Sequence, residues 1–155
     1  MPVEIERKFL VKGDGWRQGT GIHLCQGYLN RDKERTVRVR LAGDKAFLTI
    51  KGLTKGAKRA EYEYEIPFEH AEEMLNLCDG PIIEKNRYTV ACSALLWEID
   101  DFQGENKGLV LAEVELERPD QVFEHPDWLG QEVTDDPRYF NSNLCACPYR
   151  TWKHP

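Results

Sequence analysis

The sequence predicts a mainly β member of the α+β class: an eight-stranded antiparallel β-barrel, closed into a tunnel, with a few flanking helices. Three observations predict it. Eight runs of alternating, β-branched or aromatic residues are separated by turn-forming Gly, Asp, Asn and Pro. Nearly every run carries two charged residues flanking a single residue between them, which sets both charges on one face of a strand. Only residues 68–77 carry an apolar stripe of helical period. Strands with one charged and one apolar face predict a sheet rolled up with its charges inward.

The first strand, residues 3–10, sets Glu4, Glu6 and Lys8 on one face and Ile5, Arg7 and Phe9 on the other. A Gly-rich loop with Trp16 leads to the second strand, 22–29, with Leu24, Gln26 and Tyr28 on one side. Residues 36–41 alternate strictly, with Arg38 and Arg40 against Val37, Val39 and Leu41. A turn at 42–45 returns the chain as 46–51, where Lys51 shares a face with Phe47 and Thr49. The glycine- and lysine-rich stretch 52–58 is expected as a mobile loop near an opening. Residues 59–66 set Glu61, Glu63 and Glu65 against Tyr62, Tyr64 and Ile66, and Pro67 ends the strand. The helix at 68–77 follows, with Phe68, Ala71, Met74, Leu75 and Cys78 as its stripe, stopped by Asp79-Gly80-Pro81.

Residues 82–90 place Ile83, Lys85, Arg87 and Thr89 together. Residues 94–102 set Glu98 and Asp100 against Trp97 and Ile99, and 109–117 set Glu113, Glu115 and Glu117 against Ala112, Val114 and Leu116. After Arg118, repeated prolines predict short helices and loops, with 132–139 packed across the end of the sheet. Arg7, Glu65, Glu84 and Glu117 are expected at the surface or rim. The apolar stripe of Val37, Val39, Tyr62, Tyr64, Trp97 and Ile99 would be a large sticky patch if bare. Helices or a second subunit must cover it, which makes a homodimer an expectation.

At 155 residues the chain reads as one domain, 1–155, of a size that buries about 70% of its unfolded surface. Its net charge of −6 argues against a general nucleic-acid binder. Neither a signal-peptide core nor 18 consecutive apolar residues is found, so a soluble, cytoplasmic protein without membrane attachment is expected. Five cysteines, an odd number, fit reduced thiols, and Cys145-Ala146-Cys147 lacks the spacing and partners of a zinc site. The histidines, His23, His70, His125 and His154, show no ligand spacing.

The inward face collects Lys8, Arg38, Arg40, Lys51, Lys85 and Arg87 beside Glu4, Glu6, Glu61, Glu63, Glu98, Asp100, Glu113 and Glu115. An unpaired buried ion costs several kcal/mol, so neither set could be buried alone. Interleaved, they offset one another, and a ligand bringing both signs completes the site. A phosphate chain with a divalent cation does so: Arg and Lys take its oxygens, and carboxylates take Mg²⁺ or Mn²⁺. Any single pair reads equally well as a cross-strand salt bridge on a wet surface. All the pairs together, each backed by apolar residues, do not.

Glu4-x-Glu6-x-Lys8, followed in order by Arg38/Arg40, Lys51, Glu61/Glu63, Lys85/Arg87, Asp100 and Glu113/Glu115, resembles the CYTH, or triphosphate tunnel metalloenzyme, family over nearly the whole chain. The compact length, Gln26-Gly27-Tyr28 and the tail EVTDDPRYFNSNL resemble its small bacterial branch, which includes inorganic triphosphatases. The resemblance implies triphosphate bound inside the tunnel and metal-dependent hydrolysis of inorganic triphosphate. It implies that Glu4, Glu6, Glu113 and Glu115 hold metal, and that Arg38, Arg40, Lys51, Lys85 and Arg87 grip phosphate. Glu61, Glu63, Glu98 and Asp100 support those groups, while Lys8, crowded by other cations and helped by Tyr28, activates the attacking water. Alternative readings are a class IV-type adenylate cyclase, a nucleoside or thiamine triphosphatase, and a non-catalytic phosphate-chain binding module.

Overall fold

The computed structural model describes residues 3–53, 55 and 57–152. Its strands are β1 (Val3–Val11), β2 (Ile22–Asn30), β3 (Arg35–Ala42), β4 (Lys45–Gly52), β5 (Lys58–Ile66), β6 (Asp79–Cys92), β7 (Leu95–Phe102), β8 (Val110–Glu115) and β9 (Leu129–Glu132). Two helices, α1 (Phe68–Leu75) and α2 (Asn141–Ala146), complete it. The strands follow the order β5-β4-β3-β2-β6-β7-β8-β1-β9, and a β5–β1 pairing closes eight of them into an antiparallel barrel.

Strand β1 is where the ring closes. One of its edges pairs with β8, aligning Glu6 with Glu115 and Lys8 with Glu113. Its other edge is shared: residues 3–5 pair with β5, and Phe9 and Val11 pair with β9. Between them the wall is completed by a hydrogen bond from the Glu6 N–H to the Ala57 carbonyl, 3.0 Å. Of the loop at 52–58, Thr54 and Gly56 lie outside the described residues.

The ninth strand is a departure from the sequence expectation of loops and short helices after Arg118. Leu129–Glu132 offers little alternation of its own, and it becomes a strand because the β1 edge beyond Ile5 is otherwise unpaired. The C-terminal part of the chain then crosses the barrel end as expected, with Val133 donating to the Lys8 carbonyl at 2.8 Å. Asp79 and Gly80, expected to stop the helix, instead open β6, and α1 ends at Leu75 with Asn76 as its cap.

Much of the apolar outer face is covered by the chain itself. Phe9, Trp97, Ile99, Ala112 and Val114 are buried under Trp16, Trp128 and Leu129. Helix α1 lays Ala71 on Val39 and Ala46. Gly27 faces outward between Gln26 and Tyr28, and a Cβ there would sit 2.8 Å from the Cys78 Sγ, so only glycine admits the chain that leaves α1. Of the stripe for which a second subunit was considered, Val39, Trp97 and Ile99 are fully buried within the chain, while Tyr64 stays exposed. Among the described residues no helix is long and apolar enough to cross a membrane.

A third apolar cluster lies inside. Ile83, Phe102 and Leu111 share the inward parity of the charged residues but pack with Val133, Tyr139, Leu144 and Cys145. The C-terminal segment thereby plugs one end of the barrel.

Trp97 stands at the centre of the outer cluster, edge-on to Phe9, Phe123 and Trp128, with its indole N–H buried and unpaired among the described residues. Replacing it by Ala is expected to cost about 3–5 kcal/mol of unfolding free energy. Trp97→Phe, which keeps ring packing and removes the orphaned donor, is expected to cost less than half as much; urea unfolding measures both.

Candidate active site

The interior holds an open, charged cavity. Lys8, Arg38, Arg40, Lys51, Arg59, Lys85 and Arg87 line it, against the carboxylates Glu4, Glu6 and Glu113. Seven cations thus face three acids, with Asp100 just behind the wall. The surplus positive charge is what an anionic ligand would meet.

Strand parity delivers most of these groups. Arg38 and Arg40 of β3 point inward opposite Thr49 and Phe47 of β4. Lys85 and Arg87 of β6 do so beside Phe102 and Asp100 of β7. Asp100 is 2% exposed and accepts from Arg87 Nε and Nη2 at 2.7 and 2.9 Å and from Lys85 Nζ at 2.6 Å. Burial alone would raise its pKa, but Arg87 and Lys85 hold it far below the usual carboxylate range. Lys85 itself is pushed down to about 7, by burial first, with Asp100 opposing and Arg87 and Arg40 adding to the depression. The same causes, burial and then Arg38 and Arg87, lower Arg40 to about 9. Cations that lose charge stability in each other's company gain it when a polyanion arrives.

Arg38 reaches the Thr49 hydroxyl at 3.2 Å and Glu63 at 3.6 Å, yet its Nε is buried with no hydrogen bond among the described residues. An orphaned buried guanidinium donor is costly, and the Arg38 side chain that carries it lines the cavity.

The carboxylates form a second district. Glu4 takes the Lys51 amine at 2.9 Å, and Glu61 hydrogen-bonds Glu4. Burial, then Glu113, raises Glu6 to about 8 despite Lys51 and Lys8. Glu61 rises to about 7, through burial and its bond to Glu4. Glu113, opposite Lys8 at 3.5 Å, is pulled down to about 2: burial opposes, and Lys8 leads the groups that prevail. Protons held on Glu6 and Glu61 stand where a cation could stand instead. Among the described residues no three His, Cys, Asp or Glu groups form a ready-made metal cage.

The structure places Glu4, Glu6, Lys8, Tyr28, Arg38, Arg40, Lys51, Lys85, Arg87 and Glu113 together on the cavity wall. Glu115 points from the same face but is exposed, and the Glu63 and Glu98 side chains are 41% and 45% exposed, at the rim. Lys8 sits beside Glu113 rather than among cations, donates to the Tyr139 carbonyl at 3.3 Å and lies over the Phe140 ring. Among the described residues it makes no hydrogen bond to Tyr28. The lysine crowded by other cations is Lys85.

Sequence reasoning missed Thr36, Arg59, Thr134, Phe140, Asn141 and Ser142, which also line the cavity, and the buried Gln26 behind it. The inward parity of Thr36 and Gln26 was readable. The C-terminal residues belong to the tail that carries the family resemblance, but no strand parity aims them inward, and only the plug brings them to the site.

A family model described as the CYTH domain matches residues 2–141. The chain is 51% identical over 155 residues to an inorganic triphosphatase of Acetivibrio thermocellus, covering 99% of each. It is 38% identical over 146 residues to an inorganic triphosphatase of Nitrosomonas europaea, covering 92% of this chain and 96% of that one. The crystal structure of an inorganic triphosphatase superposes with a TM-score of 0.65 at 36% identity, covering 91% of this chain and 96% of that one.

An acid whose folded-state pKa lies above its unfolded value binds an extra proton on folding between the two. Glu6, raised from 4.5 to about 8, therefore stabilises least at high pH. In EDTA the melting temperature is expected to fall as pH rises through that window. Glu6→Gln should flatten the decline, and an unchanged slope would contradict the crowding described.

Proposed function

The chain belongs to the CYTH domain family, and from that premise we propose that it hydrolyses inorganic triphosphate to pyrophosphate and orthophosphate inside the barrel, with a divalent metal ion. The observation that carries this reading is the cavity in which seven cations face three carboxylates, with an unpaired guanidinium donor on Arg38. The inorganic triphosphatases at 51% and 38% identity support the substrate.

Arg38, Arg40, Lys51, Lys85 and Arg87 take the phosphate oxygens, Arg38 with the Nε that has no other partner. Phosphoryl transfer is catalysed chiefly by positioning and charge stabilisation, which fixed cations in a water-poor cavity supply. Asp100 keeps Arg87 and Lys85 aimed while its own charge stays behind the wall. Glu4, Glu6 and Glu113 are the residues we assign to the metal, Mg²⁺ or Mn²⁺, with Glu115 at the rim. When bound, the ion withdraws electron density from the phosphate and offsets its charge. Taking up the phosphate chain draws Lys51 from Glu4 and frees that carboxylate. Lys8 and Tyr28, on the same cavity wall, are assigned to the attacking water. Water oxygen bonds to the terminal phosphorus, the bridging P–O bond breaks, and pyrophosphate leaves.

Orthophosphate release from tripolyphosphate is expected with Mg²⁺ or Mn²⁺ and not in EDTA. Arg38→Ala should lower kcat/KM by about 10²–10³. Cyclic nucleotide with pyrophosphate from ATP would support the cyclase reading. Binding of tripolyphosphate without turnover would support a binding module.

A further inference from the structure

The segment Tyr139-Phe140-Asn141-Ser142 enters the cavity from the C-terminal plug, and one of its side chains is wired to the cations. The Asn141 Oδ1 accepts from Lys85 Nζ at 2.8 Å and from Gln26 Nε2 at 3.2 Å. The Gln26 Oε1 in turn accepts from Arg40 Nε at 2.8 Å. Both ends of this chain are obligatory donors, since neither a lysine amine nor a guanidinium can accept. The orientation of both amides is therefore fixed: oxygen of Gln26 toward Arg40, its nitrogen toward Asn141, and oxygen of Asn141 toward Lys85.

Two consequences follow. Gln26 is fully buried with both polar atoms used, so Arg40 and Lys85 are held at a set separation by a neutral bridge. A neutral bridge does not compete with phosphate for the cations, as a carboxylate would. The Asn141 Nδ2 has no partner among the described residues, and Asn141 lines the cavity, so this N–H₂ faces the space where the ligand lies. The backbone that carries it is anchored by Leu144, fully buried in the plug cluster with Ile83 and Tyr139.

We propose that Asn141 is a phosphate-binding residue and the positioning residue for Lys85 and Arg40, its oxygen fixing the two cations and its N–H₂ donating to the phosphate chain. The closed seat of the C-terminal helix and the geometry of the anion grip are thus a single arrangement. The inference rests on the cavity being a phosphate site.

The test is steady-state kinetics on tripolyphosphate with Mg²⁺, with thermal unfolding and direct calorimetric binding of tripolyphosphate run in parallel. Asn141→Ala should raise KM about tenfold or more, with a smaller change in kcat, since a hydrogen bond to a charged group is commonly worth about that factor. Gln26→Ala should raise KM too, and the double variant should be little worse than the poorer single, because one chain is cut either way. Asn141→Asp is the decisive variant. It keeps the oxygen that Lys85 and Gln26 need, so the melting temperature should hold or rise, but it turns an oxygen toward the phosphate, so KM should rise more than tenfold. Wild-type KM in Asn141→Asp, or additive effects in the double variant, would overturn the proposal while leaving the phosphate site standing. Failure of the unaltered protein to bind tripolyphosphate would overturn both.

Discussion

The structure depends on one buried carboxylate. Asp100 lies in the barrel wall, 2% exposed, with Arg87 bidentate on one side and Lys85 on the other. Breaking a buried pair by removing one partner commonly costs about 3–5 kcal/mol, because the remaining charge has nowhere to go. Here Arg87 and Lys85 share Asp100, Arg87 also reaching Glu98 at 3.3 Å, and a third cation, Arg40, stands close enough to feel them. The barrel can hold this cluster because Asp100 offsets part of it and two amides, Gln26 and Asn141, satisfy donors without adding charge. Arg38, whose Nε has no partner among the described residues, stands on the cavity wall beside them.

An interior of this kind cannot provide the apolar burial that folding needs, so the hydrophobic core is moved outside the ring. Trp97, Phe9 and Ile99 are buried beneath Trp16 and Trp128, and Val39 beneath α1. Only at the plugged end does an apolar cluster enter the barrel. The barrel is thus a wall between two environments, apolar without and charged within, and strand alternation lets one sequence serve both.

The two districts of the cavity divide the chemistry. Carboxylates crowd near Glu4, Glu6 and Glu61, where protons take up the excess negative charge. Cations crowd near Arg40, Lys85 and Arg87, where amine and guanidinium are destabilised by one another. Under the proposed function a metal-bound triphosphate would relieve both at once, the metal meeting the acids and the phosphate the bases. The inorganic triphosphatases to which the chain is similar accord with that division.

How much of this was legible in the sequence follows from the range of each interaction. Alternation is local, so residues such as Arg38, Arg40, Lys85 and Asp100 declare a common inward face within their own strands. The eight strands of the ring and the helix are likewise set by local pattern and turn residues. Rim and interior are not local. Glu113 and Glu115 read identically in the sequence, yet one is enclosed against Lys8 and the other, the last residue of β8, is exposed. Strand β9 exists only because β1 leaves an edge unpaired. Asn141 reaches Lys85 across 56 residues of chain, so the contact cannot be read from the residues beside it. The sequence by itself determined which faces are charged and which are apolar, since side-chain direction along a strand needs only its neighbours. Which charges meet, which stay wet and what closes the tunnel were decided by tertiary structure, since these depend on the stagger of the closed ring and the path of the C-terminal segment across it.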